Sequence, residues 1–321
     1  MAVALSEAEL LALADALADG AWHSGEDLAA QAGITRAALA KRIDRLRDWQ
    51  LDIETRHGLG YRLAAPLERL DEKKLRAALP RELGVRVLAL TDSTNTQLLG
   101  ADAAHDPQAL LAEFQTGGRG RRGRAWVSPF GANLYFSLAV SFSAWPRDLP
   151  ALSLAVGVAS ARVLRAHGAE VGLKWPNDLW IGGRKLGGIL IEHRGEAGGA
   201  CRAVIGVGLN LAMSRAQAGA IDQPWIALEE ALNRRVPRNE LAAALLAALL
   251  ETVTDFEREG FAPFVADWNR FDLTAGRSVR VEREPPLSGI ARGIDASGAL
   301  IVEAGGQRHA IVSGEVSLRL A

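Results

Sequence analysis

Over residues 1–65, apolar positions recur every three or four residues in three short segments and then give way to a hairpin-like pattern. The first period is typical of helices. Ser6, Ser24 and Thr35 stand where side-chain caps begin helices, and Gly33 stands where one ends. Two helices joined by a tight turn and followed by a β-hairpin predict a winged helix-turn-helix over this segment. The predicted elements are helices over Ala8–Leu17, from Ser24 to Gly33 and over Arg36–Trp49, and strands over Asp52–Arg56 and Tyr61–Leu63.

From residue 66 onward, the apolar positions predict a domain that mixes strands and helices. Two long segments, Leu149–His167 and Asn239–Glu259, each end at a glycine and are typical of helices. Gly182 and Gly183 suit a two-residue turn between two strands. Because strands and helices do not alternate strictly, we expect an α+β domain over residues 66–271 with a mixed or largely antiparallel sheet. The predicted strands are Val85–Leu90, Leu110–Phe114, Asn133–Phe142, Leu179–Ile181, Leu186–Glu192 and Ala203–Leu211.

After Asp272 the helical period stops, and short apolar runs are separated by turn-forming pairs. Short strands at this density are typical of a small β-barrel, so an SH3-like module is predicted over residues 272–321. The predicted fold class is therefore α+β, in three domains. The runs of this last domain are Ser278–Glu282, Ser288–Ile294, Gly298–Glu303, Gln307–Val312 and Val316–Leu320.

Composition narrows the classes of function without naming one. The 321 residues fit two or three domains, and a formal net charge of −1 leaves any anion or nucleic-acid binding to local clusters. The single cysteine, Cys201, excludes an intramolecular disulfide, and six scattered histidines argue against a histidine metal site. The chain shows neither a targeting signal nor an uninterrupted apolar run that would span a bilayer, so we expect a cytoplasmic protein without a membrane partner.

The arginine-glycine loop Gly118–Arg124 carries the densest charge in the sequence. Its four arginines lie within six residues, and no Asp or Glu occurs between Glu113 and Asp148. Like charges this close cost stability unless an anion binds there, and guanidinium forks with glycine N–H groups suit phosphate or carboxylate. A solvated basic loop and an RNA-binding segment are the alternatives. Trp126 and Phe130, which follow the loop, favour a closed ligand site.

Lys185 begins a strand in which Gly187 and Gly188 permit close approach of a backbone or a ligand. Its ammonium group suits a phosphate or a developing oxyanion. An edge-strand lysine that only discourages aggregation explains the residue equally well. Both interpretations stay open on this evidence.

Two further polar runs have a functional and a simpler interpretation. In Lys174–Asp178, a lysine and a carboxylate flank a tryptophan and suit a nucleotide, but an exposed turn over a buried Trp175 is the simpler interpretation. The run Asp92–Asn95 follows a strand, where helix capping is expected by default. The same small polar groups also suit a ureido or amide head group.

The third helix of the N-terminal segment has a local excess of positive charge, which suits a DNA recognition helix. Arg56 and Arg62 lie on the predicted wing. Residues 1–65 nevertheless hold seven Lys and Arg against ten Asp and Glu. DNA binding is therefore predicted, with a protein-interaction role as the alternative. The candidate DNA contacts are Thr35, Arg36, Lys41, Arg42 and Arg45.

Five motifs occur in the order found in biotin protein ligases, and the chain resembles that family over essentially its whole length. The loop and the Lys174–Asp178 run together are highly specific for it, and Thr116-Gly117 is a small departure from its pattern. With its winged helix, the chain resembles the bifunctional members that also repress the biotin operon. The five motifs are Asp92–Asn95, Gln115–Arg124, Lys174–Asp178, Arg184–Leu190 and Gly206–Asn210.

The resemblance implies a two-step reaction with ATP and biotin as substrates and with Mg²⁺. Biotin carboxylate attacks the α-phosphate of ATP, and a lysine of the biotin carboxyl carrier protein of acetyl-CoA carboxylase then takes the biotinyl group from biotinyl-5′-AMP. Lys185 and Arg121 are the implied catalytic residues. The implied biotin contacts are Ser93, Thr94, Asn95, Gln115, Arg119, Gly120, Arg121 and Lys185. The implied nucleotide contacts are Trp126, Lys174, Asn210, Glu315 and Arg319.

The resemblance also implies binding to operator DNA of biotin-synthesis genes and a ligand-promoted homodimer. Strand Leu186–Glu192 is the expected edge for pairing between copies. A DNA-binding sensor that holds biotin or its adenylate without transferring it, and a lipoate-type ligase, are the competing hypotheses. Neither the operator sequence nor the Mg²⁺ ligands follow from the sequence.

Overall fold

The computed structural model of the protein describes residues 6–195, 199–312 and 317–320. Its N-terminal part is the predicted winged helix-turn-helix. The predicted capping box joins Ser6 and Glu9, and the Thr35 hydroxyl accepts a hydrogen bond from the N–H of Ala38. Leu39, Ile43 and Leu46, the apolar stripe of the third helix, are buried. The elements are α1 (Glu7–Ala16), α2 (Gly25–Gln31), α3 (Arg36–Asp48), β1 (Ile53–Arg56) and β2 (Gly60–Leu63).

The central part contains one sheet and six helices within the described residues. Its strands are β3 (Gly84–Thr91), β4 (Gln108–Gln115), β5 (Leu134–Phe142), β6 (Gly172–Lys174), β7 (Asp178–Ile181), β8 (Arg184–Gly195) and β9 (Cys201–Leu209). Its helices are α4 (Glu72–Ala78), α5 (Thr94–Gly100), α6 (Leu152–Ala166), α7 (Leu228–Leu232), α8 (Arg238–Glu259) and α9 (Val265–Phe271). Both long predicted helices are therefore present, as α6 and α8.

The strands lie in the order β3-β4-β5-β9-β8-β7-β6, and only β3 and β4 run parallel. This confirms the mixed sheet of an α+β domain. The interpretation of Leu186–Glu192 as an edge is wrong in its first half. Strand β7 pairs with β8 as far as Gly188, and the Asn177 backbone oxygen accepts the N–H of Ile189. Beyond Ile189, β8 pairs only with β9 in the part of the chain that the structure describes.

One helical segment among the described residues, Leu149–Ala166, is long and apolar enough to cross a membrane by length and composition. This segment is, however, 67% buried within the protein. The helix packs against α8, α9 and β8, and its small residues permit close contact. Gly157, for example, faces Leu173 and Trp268. The segment is thus the central helix of the core.

The C-terminal part is the predicted set of five short strands. They form one antiparallel sheet in the order β13-β12-β11-β10-β14, which over the described residues is open. The sheet is confirmed, and closure into a barrel stays a prediction. The sheet meets the central part at Trp175, whose indole N–H donates to the Gly298 oxygen at 3.2 Å. The strands are β10 (Ser278–Glu282), β11 (Leu287–Ile294), β12 (Leu300–Ala304), β13 (Gln307–Ile311) and β14 (Ser317–Leu320).

The winged helix packs directly on the central part. The rings of Trp49 and Phe130 stack with centroids 5.2 Å apart, and the Phe130 N–H donates to the Trp49 oxygen. Phe114 and Phe130 share one apolar cluster with the helices of the N-terminal part. A buried ion pair between Glu113 and Arg238 secures the connecting segment, because Glu113 also accepts the N–H of Leu70. The segment that follows Trp126 is therefore held in place by the winged helix through Phe130.

Candidate active site

A cavity of about 820 Å³ lies on one face of the mixed sheet, beside the arginine-glycine loop. This volume falls in the usual range for small-molecule sites. Every predicted biotin contact lines it, as do Trp126, Lys174 and Asn210. Glu315 lies outside the described residues, and so does the side chain of Arg319, of which only the backbone pairing with Arg280 is described. The sequence motifs, distant along the chain, thus meet at one cavity.

Polar groups of α5 and β4 form the floor at one end of the cavity. The Thr94 N–H donates to Oε1 of Gln115 at 3.0 Å, and Nε2 of Gln115 donates to Oγ of Ser128 at 3.1 Å. Oγ of Ser137 lies 2.7 Å from Oγ1 of Thr94 and 2.6 Å from Oδ1 of Asn95. Alternating donors and acceptors on a buried surface suit a neutral ligand group such as a ureido ring.

Ser93 has the capping role that its sequence position predicts. Its hydroxyl accepts the N–H of Thr96 at the start of α5, at 3.5 Å. The side chain is also buried and lines the cavity. Capping and a place in the cavity wall are therefore combined in one residue.

The arginine-glycine loop folds back on itself over the cavity. The Gly120 N–H donates to the Arg124 oxygen at 2.7 Å, and the Trp126 N–H donates to the Gly118 oxygen at 2.8 Å. A Cβ atom on Gly118 would lie 2.7 Å from the Trp126 oxygen, so this close approach requires glycine. Burial lowers the pKa of the Arg121 guanidinium, while the nearby Asp178 carboxylate acts to raise it. Arg121 is thus a partly buried cation at the cavity wall.

Lys185 lies opposite the loop. Its Nζ is 2.8 Å from Oδ1 of Asp178 and 5.7 Å from the ring centre of Trp126. The backbone of Lys185 is held on both sides, since its N–H donates to the Pro224 oxygen and its oxygen accepts the N–H of Ile226. Asn210 adds a side-chain hydrogen bond to the Lys185 oxygen at 3.4 Å. A cation is therefore fixed within reach of a ligand that lies under the loop.

Trp126 packs on the sheet where two glycines leave room. A Cβ atom on Gly208 would lie 2.4 Å from the indole, and one on Gly188 would lie 3.4 Å from it. The indole N–H of Trp126 is buried and has no hydrogen-bond partner among the described residues. The ring forms an apolar wall of the cavity beside Lys185, as the sequence predicts for this tryptophan.

The run Lys174–Asp178 is not the exposed turn of the simpler interpretation. Trp175 is buried, and Nδ2 of Asn177 donates to the Ile189 oxygen at 2.7 Å. Nζ of Lys174 lies 4.5 Å above the ring of Trp180, which also lines the cavity. The run therefore forms a second wall, tied to β8.

Several cavity residues are absent from the sequence-based site. Asp178 stands in its motif only as a carboxylate that suits a nucleotide, and Trp180 and Trp225 have no local signal. Ser128 and Ser137 do not line the cavity, but they form hydrogen bonds with the floor residues Gln115, Thr94 and Asn95. Inward-facing serines in an apolar strand, such as Ser137 in β5, are the one pattern that hints at such positions. Within the described ranges, no group of three or more His, Cys, Asp or Glu side chains is gathered as a metal cluster would require.

On the winged helix, the candidate DNA contacts separate into two groups. Thr35, Arg36, Lys41 and Arg45 are exposed. Arg42 is buried and its guanidinium pairs with Glu9 of α1. The interpretation of Arg42 as a DNA contact is therefore wrong, because the helical period turns this residue toward α1, next to Leu39 and Ile43.

Comparison with known proteins agrees with this arrangement. Residues 87–210 match the biotin/lipoate A/B protein ligase family, residues 274–319 match the biotin protein ligase C-terminal domain, and residues 14–62 match an HTH domain. The bifunctional ligase/repressor BirA of Salmonella typhimurium is 44% identical over 97% of this chain and 98% of that protein. The Escherichia coli K12 protein of the same name is 44% identical over 95% of each chain.

The chain is also similar to proteins that are named only as ligases, without a repressor function. The biotin–[acetyl-CoA-carboxylase] ligase of Mycobacterium tuberculosis is 36% identical over 77% of this chain and 95% of that protein. A structure of the biotin protein ligase of Aquifex aeolicus in complex with biotin and ATP superposes with a TM-score of 0.65 at 27% identity, covering 74% of this chain and 99% of that one.

The fold and the cavity together define a ligase of the biotin/lipoate class. Within that class, the chain belongs to the biotin protein ligase family, and its winged helix joins it to the bifunctional ligase/repressors.

Proposed function

We propose that the protein attaches biotin to the biotin carboxyl carrier protein of acetyl-CoA carboxylase in two steps. In the first, a biotin carboxylate oxygen bonds to the α-phosphorus of ATP and pyrophosphate leaves, giving biotinyl-5′-AMP. In the second, a lysine amine of the carrier attacks the biotinyl carbonyl carbon, AMP leaves and an amide forms. The observation that carries the proposal is one cavity that joins an uncharged polar floor to two cations, Lys185 and Arg121.

The floor and the cations suit the two ends of biotin. Thr94, Asn95 and Gln115 offer donors and acceptors for the ureido ring, in a buried setting where such bonds discriminate strongly. The carboxylate and the α-phosphate are both anions, so bringing them together requires positive charge. Lys185 and Arg121 supply that charge and stabilise the negative oxygens that develop on phosphorus.

The arginine-glycine loop and Trp126 shield the biotinyl-5′-AMP intermediate. A mixed anhydride is destroyed by water, so a ligase must cover it until the carrier arrives. The folded-back loop covers the cavity wall beside Trp126, and Trp126 provides an apolar surface for the adenine. Lys174 and Asn210 belong to the nucleotide side of this arrangement, with Asn210 acting through the Lys185 backbone. Glu315 and Arg319 stay candidates for the same side.

Mg²⁺ is the expected companion of ATP, and the donors in the cavity fit it. Mg²⁺ is usually held by one or two carboxylates together with substrate phosphates and water, and a cluster of protein ligands is not needed. Asp178 is the carboxylate at the wall next to Lys185 and Arg121, so it would hold the ion. Bound there, Mg²⁺ would neutralise charge on the triphosphate.

The winged helix supports a second activity, biotin-responsive repression of biotin-synthesis genes. Its third helix presents Thr35, Arg36, Lys41 and Arg45 to solvent, which suits contact with the operator. We propose that the liganded protein forms a homodimer through the part of β8 beyond Ile189, because that edge lacks a second strand partner among the described residues. We further propose a cytoplasmic location for both activities.

Biotin-dependent exchange of labelled pyrophosphate into ATP tests the ligase proposal, followed by transfer to the purified carrier. We expect exchange with biotin and much less with lipoate. Binding without exchange would instead favour a sensor that holds biotin, and equal exchange with lipoate would favour a lipoate-type ligase. Gel-shift binding to the organism's own biotin-synthesis promoter, with and without the adenylate, tests the repressor role. Sedimentation of the same samples tests the dimer.

A further inference from the structure

We infer that Glu192 is a positioning residue for the ligase reaction, which orients the Asn95 amide and holds Arg119 at the rim of the cavity. The inference rests on the proposed function, because it concerns how the same site holds biotin and its adenylate. Glu192 lies on β8, two residues beyond Leu190, which lines the cavity. None of the five sequence motifs includes it. The structure alone brings it to the site.

The first contact of Glu192 fixes one side chain of the polar floor. Nδ2 of Asn95 donates to Oε2 of Glu192 at 2.9 Å and to the Leu190 oxygen at 3.3 Å. Both partners only accept hydrogen bonds, so the amide nitrogen must face them and Oδ1 must face the floor. A Cβ atom on Gly206 would lie 2.3 Å from this Oδ1, so the amide is also closely packed from the sheet side.

This orientation sets the direction of the hydrogen bonds that follow. Oδ1 of Asn95 is an acceptor, so the single hydroxyl proton of Ser137 goes to it across the 2.6 Å contact. The 2.7 Å contact between Ser137 and Thr94 must then be a donation from the Thr94 hydroxyl. Which floor groups remain as donors for a ligand is thus decided at Glu192. A glutamine at this position still offers an accepting oxygen, and the Leu190 oxygen also only accepts, so Glu192→Gln keeps the orientation of the Asn95 amide.

The second contact of Glu192 reaches the arginine-glycine loop. Nη2 of Arg119 donates to Oγ1 of Thr96 at 2.9 Å and lies 3.5 Å from both carboxylate oxygens of Glu192. The guanidinium is therefore held at the rim between α5 and β8. Because Arg119 stands at the head of the loop, this ion pair anchors the loop to the same carboxylate that orients Asn95. Glu192 is about a third exposed, so the pair is partly screened.

Two substitutions separate these contacts. Glu192→Gln keeps an oxygen that accepts from Asn95 but removes the charge that holds Arg119. Glu192→Ala removes both. Glu170→Gln is the matched control, since it neutralises a glutamate that is 86% exposed and pairs with Arg165 away from the cavity. The measurements are the biotin KM and kcat in pyrophosphate exchange, and the half-life of the preformed complex with biotinyl-5′-AMP after dilution.

For Glu192→Gln we expect a biotin KM within about twofold of the wild type and release of the adenylate faster by about two- to fivefold, the effect typical of an exposed ion pair. For Glu192→Ala we expect a biotin KM raised by about tenfold or more, with a smaller change in kcat, because buried donors and acceptors lose their partners. Glu170→Gln should match the wild type in all three quantities.

A wild-type biotin KM and adenylate half-life in Glu192→Ala would overturn the inference. A loss of kcat with unchanged KM, or a lowered thermal midpoint in Glu192→Gln that accounts for the whole effect, would show a merely structural role and overturn it as well. Failure of the wild-type protein to catalyse biotin-dependent exchange would instead contradict the proposed function. The two failures are therefore distinguishable in one set of assays.

Discussion

The Nζ atom of Lys185 lies 2.8 Å from the Oδ1 atom of Asp178, and both side chains are less than one-fifth exposed. The pair lies in the hairpin of β7 and β8, where the register shifts between Leu179 and Trp180 because β8 carries one extra residue, Leu186. The carboxylate holds the lysine in place beside the arginine-glycine loop. An arriving phosphate offers Lys185 a stronger negative partner, so the pair keeps the cation positioned for the reaction.

Lys185→Ala should remove most of the first reaction step while leaving the fold intact. Loss of a fixed cation at a developing oxyanion typically costs about 10² to 10³ in rate. The measurement is pyrophosphate exchange at saturating biotin and ATP, with the thermal midpoint as the check on folding. The control is Arg184→Ala, which removes the neighbouring exposed cation that pairs with Glu230. Its exchange rate should stay within about twofold of the wild-type rate, because surface ion pairs contribute little free energy. Near-normal exchange in Lys185→Ala would contradict its assigned role.

Arg121→Gly should release the adenylate faster and allow biotin to reach lysines other than the carrier's. A charge-assisted hydrogen bond is worth about 1.5–3 kcal/mol, so release should be faster by about tenfold or more. The rate of release from a preformed complex and the labelling of an unrelated protein measure the effect. Arg122→Gly adds the same backbone freedom at a residue with φ of 57°, and it should retain the adenylate far better. Equal release from the two variants would assign the effect to loop flexibility.

Gly208→Ala should weaken ATP binding without affecting biotin. The added Cβ atom would lie 2.4 Å from the Trp126 indole, so the ring must tilt away from the sheet. Overpacking of this kind costs about 1–3 kcal/mol, which predicts an ATP KM raised by about tenfold. Gly100→Ala is the matched control, because a Cβ atom there meets nothing within 4 Å. An unchanged ATP KM would show that Trp126 does not belong to the nucleotide site.

Asp106→Asn should destabilise the protein at neutral pH and much less in acid. Burial acts to raise the pKa of Asp106, but hydrogen bonds from Arg202 and Ser141 outweigh it, and the pKa lies below its ordinary value of 3.8. A carboxyl with a depressed pKa contributes stability that is present above the unfolded pKa and is lost as the pH falls through the folded pKa. The difference from wild type should therefore shrink below about pH 4.

The same substitution should also disturb the site. Arg202 donates to the oxygens of Leu98 and Ala101 at the end of α5, the helix that begins with Thr94. The Asp106–Arg202 pair is nearly buried, and breaking such a pair typically costs about 3–5 kcal/mol. Urea unfolding from about pH 7 to about pH 2 covers the range in which the Asp106 carboxyl takes up its proton and gives the stability, and the biotin KM at neutral pH reports on α5. A pH-independent difference would show that the charge of Asp106 is not the cause.

The winged helix and the two long helices were predictable because their signals are local. Capping residues such as Ser6 and Thr35, and apolar positions one turn apart such as Leu39 and Ile43, act within a single element. Helices α7 and α9 and strand β6 escaped prediction because segments of three to seven residues are too short to show a period. They form because tertiary packing stabilises them.

The sequence identified the arginine-glycine loop, Lys185 and the polar run before α5. Their signals, which are charge density, glycine placement and the family motifs, each lie within a short stretch of the chain. The sequence also determined the α+β class and the order of the three parts. What it left undecided were partners, such as Glu9 for Arg42 and Asp178 for Lys185. Burial of Arg42 and the interior position of the start of β8 depend on which surfaces meet.

Only the tertiary structure brings Asn95 to Glu192, 97 residues further along the chain. The sequence pattern does not reveal a hydrogen bond of this kind, because Asn and Glu are also common at exposed positions that have no such partner. Its geometry is set by strand register, which follows from the burial of the whole sheet. Local chemistry therefore determined what this protein could bind, and long-range packing decided how the binding groups are aimed.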